Sequence, residues 1–300
     1  MTEQTIKETQ NARLEKPAGF WNRGLRRLAS DRAALVASVF LIVVIAACLI
    51  GPSLSGYAYS EQDLTSTYQA PTKAHLMGTD NLGRDLMTRV LRGGRVSLLV
   101  GIVGTLISVA IGVVYGGIAG YLGGRADMIM MRIVDVLYGM PFMFVVILLM
   151  TVFGRSLLLL FIALGAVEWL TIARVVRGQV LEVKERDFVE GARALGTLTP
   201  DILRRHILPN VMGTIVVYAT LNVPSVMLRE AFLSFLGFGV QPPDASWGSL
   251  AADALTAINP ARICWWLVLF PCMALSATLL ALNFLGDGLR DALDPRFVNR

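Results

Sequence analysis

The chain is expected to be an all-α, polytopic membrane protein with six transmembrane helices. Three observations lead there. Apolar side chains make up 55% of the 300 residues and charged ones only 16%, against roughly a quarter charged in ordinary soluble proteins. Mean hydropathy is +0.61. Six apolar runs, at 33–54, 96–122, 128–153, 157–176, 207–236 and 263–285, reach the roughly 20 residues a helix needs to cross hydrocarbon.

The first run follows a polar stretch ending near Arg32 and is too long for the apolar centre of a cleavable signal peptide, so it is read as a retained span. Six spans put both termini on one side. With the termini in the cytoplasm, 19 of the 27 Lys and Arg lie inside, as the positive-inside rule requires. Four of the remaining eight basic residues gather before the second span, in "MGTDNLGRDLMTRVLRGGRVSLLVG" (77–101). There Asp80 with Arg84 and Asp85 with Arg89 have the four-residue, acid-first spacing of helical ion pairs. Leu82, Leu86 and Val90 form a stripe on the same spacing, which fits either a solvated connector or a surface laid on membrane or partner.

Within the second span Gly112, Gly116, Gly120 and Gly124 recur every four residues, which gives one smooth face, for close helix packing or for sliding in a gate. Pro141 and Pro271 lie inside spans and are expected to kink them. The fifth run contains Asn222, Pro224, Arg229 and Glu230, so its helix is expected to break or emerge near its far end. Glu168 is the one acid deep in a run. Two readings fit it: a functional intramembrane carboxylate, or a residue nearer an interface beside Trp169. Arg229 and Glu230 are adjacent and so do not face each other on a helix.

Several chemistries are excluded. No Lys follows a Gly, so the Gly-Lys-Ser/Thr phosphate-binding element does not occur. The chain is not expected to be an enzyme or to hold a cofactor. His75 and His206 are the only histidines, and neither has a partner at metal-ligand spacing; the three cysteines are scattered in apolar runs, so neither a metal site nor a disulfide framework follows. The net charge of +5 is explained by topology and lipid headgroups rather than by nucleic acid. Transport, a channel or a scaffold remain.

One polar interruption stands out, "EGARALGTLTPDILRRHILPN" (190–210). Phe188, Ala192 and Leu195 give a short apolar stripe on a helix beginning near Lys184. Gly196 sits where a left-handed C-terminal cap is expected. Thr199, Pro200 and Asp201 read as N-cap, first helical proline and first-turn acid of a second helix, and Pro209 marks a bend into the fifth span. The result is a narrow ridge of two angled helices facing the cytoplasm, which fits either a groove on another protein or a passive charged loop between spans.

The sequence Glu190-Gly191-Ala192, Gly196, then Leu208-Pro209 resembles the "EAA" loop of permease subunits of binding-protein-dependent ABC importers. Gly191 departs from the usual alanine and His206 from the usual isoleucine. Together with "REAFLSFLGFGVQPPDASWG" (229–248), "NFLGDGLRDALDPR" (283–296) and the 77–101 segment, it makes the chain similar to the dipeptide/oligopeptide/nickel permease family, in particular its C-type subunit, from about His75 to Arg296. The resemblance implies a type I importer fold in the bacterial inner membrane. It has a cytoplasmic segment at 1–32, a first helix and connector at 33–95, a five-helix permease core at 96–286 with a coupling loop near 181–207, and a cytoplasmic tail at 287–300. Glu190, Gly191, Ala192, Leu195, Gly196, His206, Leu208 and Pro209 would then contact the ATPase. The partners implied are a second homologous permease, two ATP-binding subunits that carry ATP and Mg, and an extracytoplasmic solute-binding protein. Glu168, Asn222, Glu230, Pro242, Pro243 and Trp247 are the candidates for the translocation path or its mouth. Peptide is the expected solute; nickel chelates, glutathione or another small solute on the same machinery, and an ion-coupled transporter using Glu168, are the alternatives.

Overall fold

The computed structural model describes residues 24, 27–257 and 263–293. The expectations for most of the segment 1–32, and for the tail beyond 293, lie outside the described residues. Among the described residues nine helices of eight or more residues carry the fold: α1 Arg32–Leu54, α2 Leu86–Leu122, α3 Gly124–Tyr138, α4 Phe142–Phe153, α5 Leu157–Val183, α6 Asp187–Ala194, α7 Leu208–Phe235, α8 Trp247–Thr256 and α9 Trp265–Leu293. Among those residues five helical stretches are long and apolar enough to span a membrane, and six do so if the bent pair α3–α4 is one span.

α2 begins ten residues before the apolar run because Asp85 caps it, accepting from the Thr88 amide at 2.8 Å and the Thr88 hydroxyl at 2.7 Å. The Asp85–Arg89 pair expected from spacing is therefore absent. Asp85 meets His75 Nδ1 at 3.0 Å, and Arg89 turns to Asp80 instead. The Asp80–Arg84 pair does form, at 2.7 Å, but ahead of the helix, across a tight loop in which Asp80 Oδ1 also accepts from the amides of Leu82 and Arg84. Gly83 there has φ +70, and a Cβ would lie 1.7 Å from the Asp63 carbonyl, so the loop closes onto the connector only with glycine. Leu86 and Val90 are not a docking stripe: both are buried in a core shared with Trp247, Trp266 and Leu267.

α2 runs against α5 along most of its length. A Cβ on Gly116 would lie 2.3 Å from the Ala173 carbonyl, one on Gly120 2.8 Å from that of Arg177, and one on Gly112 3.0 Å from that of Trp169. Backbone thus meets backbone, as small residues permit. Gly124 leaves the ladder. α2 ends at Gly123, and Gly124, with φ +54 and open space around it, starts α3.

The third run is not one helix. α3 and α4 meet at 79° across Gly139, Met140 and Pro141, where Pro141 stands at the N-cap of α4. Ion pairs hold α3 to α5: Arg177 Nη2 reaches Asp127 at 2.6 Å, and Arg174 reaches Asp135 at 2.8 Å. The fifth run differs in the opposite sense. α7 is continuous to Phe235 with Pro224 buried inside it, because the residues expected to force it out of the membrane find partners sideways. Pro271 is likewise carried within α9.

Candidate functional site

The ridge starts where α5 ends. Lys184 Nζ donates to the Gly120 carbonyl at 2.9 Å, which ties the exit of α5 to the end of α2. α6 then runs from Asp187, three residues later than expected, with Asp187 and Glu190 in its first turn and Arg193 in its last, the arrangement that suits the helix dipole. It closes in a Schellman motif: the Thr197 amide donates to the Ala192 carbonyl at 3.1 Å and the Gly196 amide to that of Arg193 at 3.0 Å. Gly196 has φ +78, as this cap demands.

The second helical piece opens at Thr199 without a side-chain cap. Leu198 is the cap residue, and Thr199 and Pro200 are already helical; this corrects the expected Thr199 N-cap. Residues Ile202–Ile207 form a wide π-type turn before α7. Pro209, which has no amide to offer Arg205, lies just past that turn after Leu208, so the wider winding accommodates the missing bond. His206 lies half-buried in this turn, and its carbonyl accepts from Asn210 Nδ2 at 2.6 Å.

The underside of the ridge is apolar and closed. Val189, Ile202 and Ile207 are buried with Val176, Val180, Val183 and Val211, and Leu208 packs at the edge of that cluster. Of the expected stripe only Ala192 points inward, at 8% exposed; Phe188 is 44% and Leu195 88% exposed, and Leu198 nearby is 71% exposed. The inward direction is set by the pair Val189 and Ala192, three apart on the helix, which leaves Phe188 and Leu195 turned outward. Glu190, Gly191, Arg193 and Gly196 are exposed as well, and neither Gly191 nor Gly196 has any atom within 4 Å of an added Cβ. The coupling candidates Glu190, Gly191, Leu195 and Gly196 thus share one open surface, and Ala192, Leu208 and His206 support it from beneath. Phe188 is exposed on the same helix. Leu198, not among the candidates, belongs to the same open surface.

The path candidates do not all converge. Glu168 is buried and ion-paired with Arg229 of α7. Glu230, one residue on, is wholly buried on another side of α7; its Oε1 accepts from Ser234 Oγ at 2.6 Å and Ser246 Oγ at 2.7 Å. Trp247 is 1% exposed, with its amide donating to Ser97 Oγ at 3.0 Å and its Nε1 to the Val90 carbonyl at 2.8 Å. Glu230 and Trp247 are therefore internal fastenings, not lining residues of an open mouth. Pro242 and Pro243 are exposed in a turn. Asn222 approaches Thr105 Oγ1 at 3.5 Å. Among the described residues no three His, Cys, Asp or Glu side chains gather as a metal site would need.

Comparison with known proteins completes this geometry. The family described as binding-protein-dependent transport system inner membrane component matches residues 112–299, and the N-terminal TM domain of oligopeptide transport permease C matches residues 19–71. The oligopeptide transport system permease protein OppC of Haemophilus influenzae is 47% identical over 278 residues, 92% of this chain and 88% of that one. The dipeptide transport system permease protein DppC of Bacillus subtilis is 47% identical over 90% of this chain and 84% of its own. OppC of Escherichia coli K12 is 48% identical, covering 92% and 91%. A broken third span, a glycine-lined helix pair and an exposed two-helix ridge are thus the features of a chain that belongs to the binding-protein-dependent inner membrane transport components, as a multi-pass permease of the C type.

Proposed function

We propose that this permease takes up di- or oligopeptides by alternating access, driven by ATPase subunits that grip the ridge at 187–207. The observation that carries the coupling role is the two-sidedness of that ridge: Val189, Ile202 and Ile207 lock it to the ends of α5 and α7, while Phe188, Leu195 and Leu198 remain uncovered. Exposed apolar side chains on a firmly seated helix fit a protein groove better than they fit water. Force applied there passes directly into α5 and α7.

The ridge and both termini lie in the cytoplasm in this proposal, on the side that collects 19 of the 27 basic residues. ATP and Mg reside on the two ATPase subunits, a second homologous permease completes the path, and an extracytoplasmic binding protein delivers the solute. Peptide as cargo rests on the names carried by relatives 47–48% identical to this chain.

Gly196→Val tests the coupling. A branched side chain at φ +78 opposes the left-handed cap by about 1–2 kcal/mol, and tilts the ridge without filling any occupied space. Uptake of a labelled tripeptide by cells relying on this permease is expected to fall at least roughly tenfold, with the subunit still present in the membrane. Uptake at the normal rate would sink the coupling role, and uptake of nickel chelates but not of peptides would replace the cargo.

A further inference from the structure

Arg229 stands out among the charged groups inside the membrane. Ser108 lies midway along α2, between Arg95, which donates to the Cys48 carbonyl, and Leu122 at the helix end. Its hydroxyl donates to the Gly165 carbonyl at 3.1 Å, three residues before Glu168 on α5. The Glu168–Arg229 pair is therefore at mid-depth in the bundle. Glu168 is enclosed there, but 42% of the Arg229 side chain is exposed.

The same face of α7 carries Tyr218, Asn222 and Ser225, spaced four, three and four residues up to Arg229, all of them exposed or partly so. A half-open guanidinium at mid-depth does not face lipid; such groups face water-filled paths or other protein. Its own surroundings also orient it. Nε is engaged by Glu168, and the guanidinium lies over the Phe142 ring, 5.1 Å from its centre, which holds the plane by cation–π attraction. The two Nη groups are left forming an open fork, with no hydrogen-bonding partner among the described residues. A fork of this shape matches a carboxylate in two parallel hydrogen bonds.

We propose that Arg229 binds the terminal carboxylate of the solute as it passes through the permease, with Glu168 and Phe142 fixing the fork and Asn222, Ser225 and Tyr218 continuing the polar wall. The inference rests on the peptide reading above. A carboxylate crossing the low-dielectric interior needs a cation on its way, and at this depth Arg229 supplies it.

The test compares trialanine with trialanine amide in cells or membrane vesicles containing the complete importer, each at saturating concentration so that the delivering binding protein is fully loaded. Maximal uptake then reports on steps within the membrane. The intact permease is expected to move the free acid faster than the amide. Arg229→Gln should lower maximal uptake of the acid at least about tenfold, the worth of a charge-assisted pair, and leave the amide within about twofold. Equal losses for both peptides, or no loss for either, would overturn the inference and assign Arg229 to contact with the second permease. If Arg229→Gln fails to reach the membrane, Arg229→Lys, which keeps the charge and loses the fork, decides: a drop in the acid-to-amide ratio of about threefold or more supports the site, and an unchanged ratio overturns it. If the intact permease moves neither peptide, the peptide reading falls and takes this one with it, an outcome distinct from uptake without discrimination.

Discussion

The two ends of this bundle treat polar and apolar side chains in opposite ways. At the end holding 75–90 and 240–257, a charged cluster is drawn inward and paired: Arg89 is 5% and Asp80 7% exposed, Asp80 serves both Arg84 and Arg89, and two tryptophans donate to backbone carbonyls. At the ridge end apolar groups are pushed outward and left uncovered, with Leu195 and Leu198 above 70% exposed. A buried charge with every partner present in its own chain speaks for structure. An exposed leucine on a helix fastened from below speaks for a partner.

The largest expected effect breaks the first half of that contrast. Asp80→Ala leaves the Arg89 side chain, 6% exposed, with only Asp253 at 3.8 Å, strips Arg84 of its partner and removes the acceptor of two loop amides. Removing one member of a buried pair costs about 3–5 kcal/mol, so the purified subunit should melt far earlier or fail to accumulate. Replacing Arg89 by Met in the same chain should restore part of the loss, because an apolar side chain does not need the missing carboxylate. A melting temperature unchanged by Asp80→Ala would mean that this network contributes nothing.

Leu195→Asp probes the other half. The side chain touches little of its own protein at 88% exposure, so stability is expected to hold within about 0.5 kcal/mol. A charge placed in an apolar contact is expected to cut uptake roughly tenfold, by the truncation cost of a central interface residue. Loss of thermal stability in parallel with uptake would show that Leu195 belongs to the fold rather than to an interface.

The sequence made some of these features legible and hid others, for physical reasons. Gly196 could be read because a left-handed cap leaves a local mark: one residue type, one helical turn of pattern. The glycine ladder was readable up to Gly120 for the same reason, and failed at Gly124 because the end of α2 at Gly123 is set by the turn into α3. Glu230 and Trp247 looked like mouth residues because nothing near them in the chain announces Ser246, Ser97 or Val90, the groups that hydrogen-bond them in the interior. The 79° break at Pro141 exceeds what a proline alone imposes; α3 is held at that angle by Arg174 and Arg177 of α5, some forty to fifty residues away. The fork of Arg229 is legible only once α5 and α7 are packed, since the sequence says that Arg229 and Glu230 diverge but not which of them faces Glu168.

The smallest expected effect sharpens the contrast at two helix starts. Asp85 caps α2 with a carboxylate that accepts from the Thr88 amide and hydroxyl and also meets His75, whereas Thr199 makes no capping bond at all. Asp85→Ala should therefore destabilise the subunit by about 1 kcal/mol, and Thr199→Ala by less than about 0.5 kcal/mol, read as shifts in melting temperature of the purified chain. Equal shifts would mean that the ridge end is capped as firmly as the other.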